Sequence, residues 1–212
     1  MMSARFEVSD GFRALPLGMS ADEALTYVRQ RIGNPEFGAE EVDRKVIGVV
    51  HTLSRGLRAA GTLYVGGAQR IINGERSLAT LLVAAQKFAY GDDRAVAAEG
   101  AMQALVAARG KGWTGSVYDL PCGPGAVVMG GHEHPIPPLE SGKPTLNLPM
   151  AELMAFVPVP DDPSLSHQYM LTATFTTPSI RHWEAYMPAM VRLLRSITFT
   201  STASEERHRG PE

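Results

Sequence analysis

The sequence contains a single cysteine, Cys122, and no long apolar run. A lone cysteine excludes an intrachain disulfide, so a disulfide-stabilised secreted scaffold is not predicted. The longest apolar run, around residues 78–85, is far shorter than the roughly 20 residues that a helix needs to cross a bilayer. The N-terminal segment lacks the basic start and apolar core of a signal peptide. We therefore expect a cytoplasmic protein without membrane insertion.

The chain also lacks an excess of charge of either sign. It has 20 Lys and Arg residues against 22 Asp and Glu residues, a formal net charge of -2, and no polybasic run. Proteins that bind nucleic acid or anionic membrane surfaces usually carry a basic patch. We therefore expect no nucleic-acid partner.

Nucleotide-binding motifs are missing as well. Gly142 and Lys143 are followed by Pro144, where a phosphate-binding loop requires Ser or Thr, and no glycine stands five residues before Gly142. The segment "GPGAVVMGG", residues 123–131, fails the G-x-G-x-x-G spacing of dinucleotide-binding folds. The sequence therefore predicts no cofactor.

The remaining composition is that of a globular protein. The chain has 212 residues, of which 44% are hydrophobic and 20% are charged, and this suffices for one domain with a sizeable core. The last residues, "STASEERHRGPE", are polar and lack periodicity. We predict a single domain over residues 1–200 and a flexible polar tail over residues 201–212.

Four helices are predicted from capping residues and apolar spacing. The first follows Ser20, with Glu23 at the capping-box position, and ends near Gly33; the second is a strongly amphipathic helix over residues 42–61. Asp92 or Asp93 caps an Ala-rich third helix. Ser179 caps the last helix, which Pro188 should kink or split. The residues predicted to face inward in the last helix are Trp183, Tyr186, Met187, Met190, Val191 and Leu194.

Strands are predicted around turn signals. Asp10-Gly11 and Asn73-Gly74 each indicate a two-residue hairpin, because Asn, Asp and Gly tolerate the positive φ that such turns need. Residues 78–88 form the second arm of the Asn73-Gly74 hairpin and are apolar enough for a central strand. Further strands follow as "GSVYDL", "GAVVMGG", "AELMAFVPV" and "HQYMLTATFTTP". Because the helices lie between hairpins, we predict an α+β fold with a mainly antiparallel sheet flanked by helices, an α/β/α sandwich.

The segment around the single cysteine offers one candidate chemical site. His132 and His134 share one face of a strand, and with Cys122 they provide three side chains of the kinds that bind zinc. A small metal- or thiol-dependent hydrolase built on these residues is therefore one hypothesis. The alternative is a solvated loop end beside an inert thiol. A fourth zinc ligand would have to come from Asp119, Glu133 or His167.

The start of the last helix is the most aromatic segment of the chain. Trp183 and Tyr186 either pack on the sheet or, together with His182, form a surface for a partner. The sequence alone allows both interpretations.

The C-terminal third, from "LMAFVPVPDD" to "RLLRSITF", resembles the ending of the Mog1/PsbP-like superfamily. Those proteins finish with a strand, a "TP" turn, a helix and a short terminal strand. The resemblance implies a single antiparallel sheet between helices and a non-enzymatic role, because members act as adaptors, assembly factors or chaperones. It supplies no catalytic residues. The helical section over residues 34–61 is longer than the superfamily pattern.

Our first hypothesis is accordingly a cytoplasmic adaptor or chaperone-like protein. It would hold a partner polypeptide on one sheet face or in a helix groove. Exposed strand edges also make a homo-oligomer a possible state.

Overall fold

The computed structural model describes residues 2–32, 40–136, 145–163 and 165–201. Within them the strands are β1 (Met2–Arg5), β2 (Phe12–Ala14), β3 (Thr62–Ile72), β4 (Glu75–Lys87), β5 (Thr114–Leu120), β6 (Gly123–Ile136), β7 (Leu146–Pro158), β8 (Tyr169–Thr177) and β9 (Thr198–Ser201). The helices are α1 (Ala21–Ile32), α2 (Glu40–Ala59), α3 (Arg94–Arg109) and α4 (Trp183–Ser196), with a 3-10 turn at Ile180–His182 before α4. The predicted helix end at Gly33, the Gly142-Lys143 segment and residues 202–212 of the predicted tail lie outside the described residues, whereas Ser201, the first residue of that tail, ends β9.

Seven of these strands form one antiparallel sheet in the order β2-β3-β4-β8-β7-β6-β5, and β1 pairs with β9 in a separate two-stranded ribbon. All pairings in the large sheet are antiparallel. The predicted α+β fold with a mainly antiparallel sheet flanked by helices is confirmed. In the described part of the chain, no helix combines the length and the apolar character needed to cross a membrane.

The two predicted hairpins have different outcomes. Asn73 and Gly74 have φ values of 51° and 82°, and they join β3 to β4 as predicted. Asp10 and Gly11 also form a turn, in which the Phe12 amide donates to the Ser9 carbonyl at 2.9 Å. The strands on its two sides do not pair, because β1 lies against β9 and β2 lies against β3. The prediction of a hairpin there is therefore wrong.

The pairing of β1 with β9, and not with β2, has a physical reason. Phe6 and Val8, just after β1, pack against the main core, and the Phe6 ring meets the Tyr64 ring edge-on at 6.5 Å. Burial of these apolar side chains favours a path that crosses the core. The chain therefore reaches β9 instead of folding back on β2.

Helix α4 covers one face of the sheet and builds the main core. Tyr186 is fully buried beside Phe175, at a ring-centroid distance of 5.2 Å, and its hydroxyl shares a 2.8 Å hydrogen bond with Ser77. The helix continues through Pro188 to its end and is not split. Ser179 does not cap it; its Oγ accepts a hydrogen bond from the Leu78 amide at 3.1 Å.

Helix α3 covers the opposite face of the sheet at the β5–β6 end. Asp93 Oδ1 accepts hydrogen bonds from the Ala95 and Val96 amides at 2.8 and 3.2 Å, so the predicted acidic N-cap is confirmed. Small residues let the helix lie close to the strands. At Gly115 a Cβ atom would lie only 2.5 Å from the Met102 side chain, which shows how closely α3 approaches β5.

Helices α1 and α2 pack against each other near β3. The capping box predicted for α1 is confirmed: the Ser20 amide donates to Glu23 Oε2 at 2.7 Å, and the Glu23 amide donates to Ser20 Oγ at 3.3 Å. Ser54 of α2 is fully buried and accepts from the Met19 amide at 2.9 Å. These bonds fix the start of α1 against α2.

Candidate functional site

The structure does not bring Cys122 together with His132 and His134. Cys122 lies in the turn before β6, whereas both histidines lie near the far end of β6. Ten residues of extended strand span roughly 30 Å. Among the described residues, no group of three or more His, Cys, Asp or Glu side chains is placed to hold a metal ion.

The surroundings of Cys122 do not activate its thiol. Burial is the main influence and raises the pKa of the Cys122 thiol, while the nearby Arg94 guanidinium lowers it by less. Arg94 donates a hydrogen bond to the Cys122 carbonyl oxygen at 2.8 Å and also binds the Pro158 carbonyl. The thiol is therefore protonated at neutral pH, whereas a nucleophilic cysteine needs a lowered pKa.

His132 belongs to a cluster at the C-terminal end of α3. Its ring stacks on Trp113 with a centroid distance of 6.3 Å and an interplanar angle of 25°. Its Nδ1 lies 3.5 Å from Oε2 of the buried Glu152, and the Arg109 guanidinium lies 3.4 Å from the same carboxylate. Arg109 also lies over the Trp113 ring at 4.8 Å. This cluster fastens the end of α3 to the sheet.

The aromatic segment before and within α4 is mostly internal. Tyr186 is fully buried and His182 is nearly so, with its Nε2 atom 3.7 Å from Glu75 Oε2. The Trp183 ring is half-buried and lies 5.6 Å from the Phe175 ring. A partner surface requires exposed side chains, and of these three residues only Trp183 offers any.

An apolar groove lies between α4 and the β5–β6 end of the sheet, and we call it the α4 groove. Its volume is about 520 Å³. Most of its lining comes from methionine, leucine and valine, and two charged residues, Asp119 and Arg195, also line it. The apolar residues that define it are Leu120, Val127, Met129, Met187, Met190 and Val191.

The α4 groove follows from the pairing of β5 with β6. Directly paired residues share one face of the sheet, and here the small Ser116 and Thr114 lie beside the larger Val127 and Met129. Farther along, Leu120 covers Gly125, where a Cβ atom would lie only 2.6 Å from Leu120 Cδ1. On this face β5 contributes Tyr118 and Leu120 to the lining of the groove, beside Val127 and Met129 of β6.

Several residues of this groove remain in contact with solvent. Val191 is 52% exposed and Tyr118 is 48% exposed. The prediction that Val191 faces the core is therefore wrong, because the sheet beneath that side of α4 does not reach it. Met129 and Met187, which are half-buried, add flexible, polarizable side chains, which are frequent on surfaces that adapt to different partners. Met190 is 2% exposed and forms part of the floor of the groove.

The sequence contains a signal for this groove. The apolar stripe of α4 includes two adjacent pairs, Tyr186-Met187 and Met190-Val191, and is therefore wide. A stripe wider than one contact face leaves part of its apolar surface uncovered. The position of β5 beside that surface could not be read from local patterns.

A larger and more open cleft of about 800 Å³ lies on the opposite sheet face near α1. Its floor includes the Thr80 and Thr176 hydroxyls, which hydrogen-bond to each other across β4 and β8. These two hydroxyls are thus already partnered. The α4 groove, with exposed apolar side chains, is the stronger candidate binding site.

No protein-family model matches the chain, and no curated protein matches it. Among solved structures, the chain is similar to the crystal structure of LpqN, a protein of Mycobacterium tuberculosis described as involved in cell envelope biogenesis. The sequence identity is 12% and the TM-score is 0.48, over 95% of this chain and 85% of LpqN. A similarity of this size carries no conclusion about function.

Proposed function

We propose that this protein is a non-enzymatic adaptor or chaperone-like protein that holds an apolar segment of a partner polypeptide in the α4 groove. The observation that carries the proposal is the exposure of Val191 and Tyr118 along a groove lined by methionine, leucine and valine. The resemblance of the C-terminal third to the Mog1/PsbP-like superfamily implies the same class of role. The hydrolase alternative has no observation in its favour.

Burial of the groove provides a favourable free energy for such a complex. Complete transfer of a valine side chain out of water is worth roughly 2 kcal/mol. Val191 is 52% exposed, so covering it contributes about 1 kcal/mol. Tyr118 adds a ring with a polar hydroxyl, a residue type that is common at the centre of protein interfaces.

The chain's own remaining segments are poorly suited to fill this groove. Residues 33–39, 137–144 and 202–212 together contain Phe37 and Leu139 as their large apolar side chains. The last of these segments is entirely polar or small. An apolar groove selects apolar side chains, and these segments offer few of them. We propose a partner polypeptide as the occupant.

Site-specific photocrosslinking tests the proposal. We replace Val191 with p-benzoylphenylalanine and irradiate the protein in cells of its own source. A matched control carries the same group at Val96, which is 63% exposed on α3 and lies on the other side of the sheet. We expect a defined protein adduct from position 191 that position 96 does not give.

Two other outcomes of the crosslinking experiment count against the proposal. Equal adducts from both positions, or no adduct from position 191, would contradict the proposal. Adding Met187→Lys to the position-191 protein places a charge in the groove and should remove the adduct, while the far-UV spectrum stays unchanged.

A further inference from the structure

We infer that the partner segment binds in an extended conformation, as an additional strand on the outer edge of β5, with alternate side chains in the α4 groove. This inference rests on the proposed function and specifies the class of ligand. The ligand is a stretch of about five to seven residues with large apolar side chains at alternate positions.

The first observation is the state of the β5 edge. In the part of the chain that the structure describes, β5 is the terminal strand of the sheet and pairs with β6 alone. Its register runs without interruption from Thr114 opposite Met129 to Leu120 opposite Gly123. Alternate residues of a terminal strand direct their amide and carbonyl groups away from the sheet. These groups form a regular row along β5.

The second observation is that this edge has few features that discourage strand pairing. Natural edges are commonly protected by bulges, by proline, by lysine or by being very short. β5 has seven residues, "TGSVYDL", with no proline, no lysine and no bulge in its pairing with β6. The other edge strand of the sheet, β2, has three residues. A seven-residue edge strand without proline, lysine or a bulge is typical of sites that accept an added strand.

The third observation is the position of the groove beside that edge. Ser116, Tyr118 and Leu120 alternate along β5 and face α4, and Tyr118 and Leu120 line the α4 groove. A strand added to β5 projects every second side chain toward the same face, about 7 Å apart. Side chains on that face would lie beside Tyr118 and Leu120, at the α4 groove. Backbone hydrogen bonds thus provide affinity, and the groove provides selection for apolar residues.

A second copy of β5 is a poorer occupant than a foreign strand. Its groove-facing residues would be Ser116, Tyr118 and Leu120 again. Leu120 packs against its own core, and Tyr118 lines its own groove. Ser116 has no large apolar side chain. The groove is therefore better matched by a segment of different sequence.

Peptide selection followed by backbone methylation tests the inference. A phage-displayed library of random heptapeptides is panned against the full chain, and the enriched peptide is synthesised. Three versions are compared by calorimetry: the parent, and two in which alternate amide nitrogens carry a methyl group. Strand addition predicts that one methylated set weakens binding at least tenfold, because its amides face β5. The other set should weaken binding less than threefold.

Hydrogen exchange gives a second readout on the protein. Binding of the parent peptide should slow exchange of alternate amides between Thr114 and Leu120 at least tenfold, with little change in β2. Enriched peptides should show apolar residues at positions i and i+2. Enriched peptides without that alternation would overturn the inference.

The variant Val191→Glu separates the two levels of the proposal, with Val96→Glu as the control. One outcome is that Val191→Glu no longer binds the parent peptide, while the unsubstituted protein binds the parent and both methylated peptides equally. That outcome would refute strand addition and leave the groove as the site. Unchanged binding in Val191→Glu would refute the groove itself. A complex that contains two copies of the protein, by sedimentation, would assign the edge to self-association and would also overturn the inference.

Discussion

Alanine substitution at two adjacent glycines of β6, Gly130 and Gly131, is the sharpest test of the packing beneath α3. A Cβ atom at Gly130 would lie 2.3 Å from Trp113 Cδ2 and 2.7 Å from two other ring atoms. Trp113 is 6% exposed, and its ring contacts His132 and the Arg109 guanidinium. At Gly131 the nearest atom would be the Met150 carbonyl oxygen at 3.4 Å, an ordinary contact. The two glycines thus face very different surroundings.

The magnitude follows from overpacking. Forcing a methyl group into a packed site costs about 1–3 kcal/mol, and replacing glycine by alanine recovers about 0.4–1 kcal/mol through the unfolded chain. We therefore expect Gly130→Ala to lower the free energy of unfolding by about 1–2 kcal/mol. Gly131→Ala should leave it unchanged or raise it by up to about 1 kcal/mol.

Urea unfolding followed by far-UV circular dichroism measures this difference. For a chain of this size, each kcal/mol also moves the melting temperature by about 2–4 °C. Near-UV circular dichroism should change in Gly130→Ala alone, because the Trp113 ring must move. Equal destabilisation by both substitutions would refute the described position of Trp113 over Gly130.

Four further predictions concern single side chains. Tyr186→Phe should destabilise the protein by about 1–3 kcal/mol in urea unfolding, because the fully buried Ser77 hydroxyl loses its partner at 2.8 Å. No change would show that this hydrogen bond is not formed. Asp93→Ala should cost about 1 kcal/mol in the same assay through loss of the α3 cap, whereas Asp92→Ala should not. The pH at which Cys122 is alkylated at half its maximal rate should lie above that of an ordinary thiol, because burial raises its pKa; a value below it would restore the nucleophile hypothesis. Val191→Glu should change the free energy of unfolding of the protein, measured in urea, by less than about 0.5 kcal/mol, because the Val191 side chain is half exposed. A larger loss would show that Val191 supports the core.

Local signals predicted the fold well where local chemistry decides the outcome. Asn73-Gly74 forms its hairpin because both residues accept positive φ, and Asp93 caps α3 because its carboxylate reaches two free amides. Asp10-Gly11 also turns the chain, but the pairing of β1 depends on β9, nearly 200 residues away. Turn chemistry contains no information on such a distant partner.

The candidate site was harder to predict for the same reason. The apolar character of α4 is visible in the sequence, yet whether Val191 is covered depends on how far the sheet extends beneath it. That extent is set by β5, which ends the sheet and pairs with β6. The sequence allowed Tyr186 to lie in the core or on a partner surface, and its contacts with Phe175 place it in the core. Spacing on one helix does not distinguish these cases.

Methyl NMR on the ten methionines tests the proposed binding groove most directly. The protein is labelled at the methionine methyl carbons and titrated with the polypeptide that crosslinks to position 191. We predict that the signals of Met129, Met187 and Met190 shift together with a single affinity, while those of Met154 and Met170 on the α3 side stay in place. Shifts confined to Met154 and Met170, with the three groove methionines unchanged, would contradict the assignment of the α4 groove as the binding site.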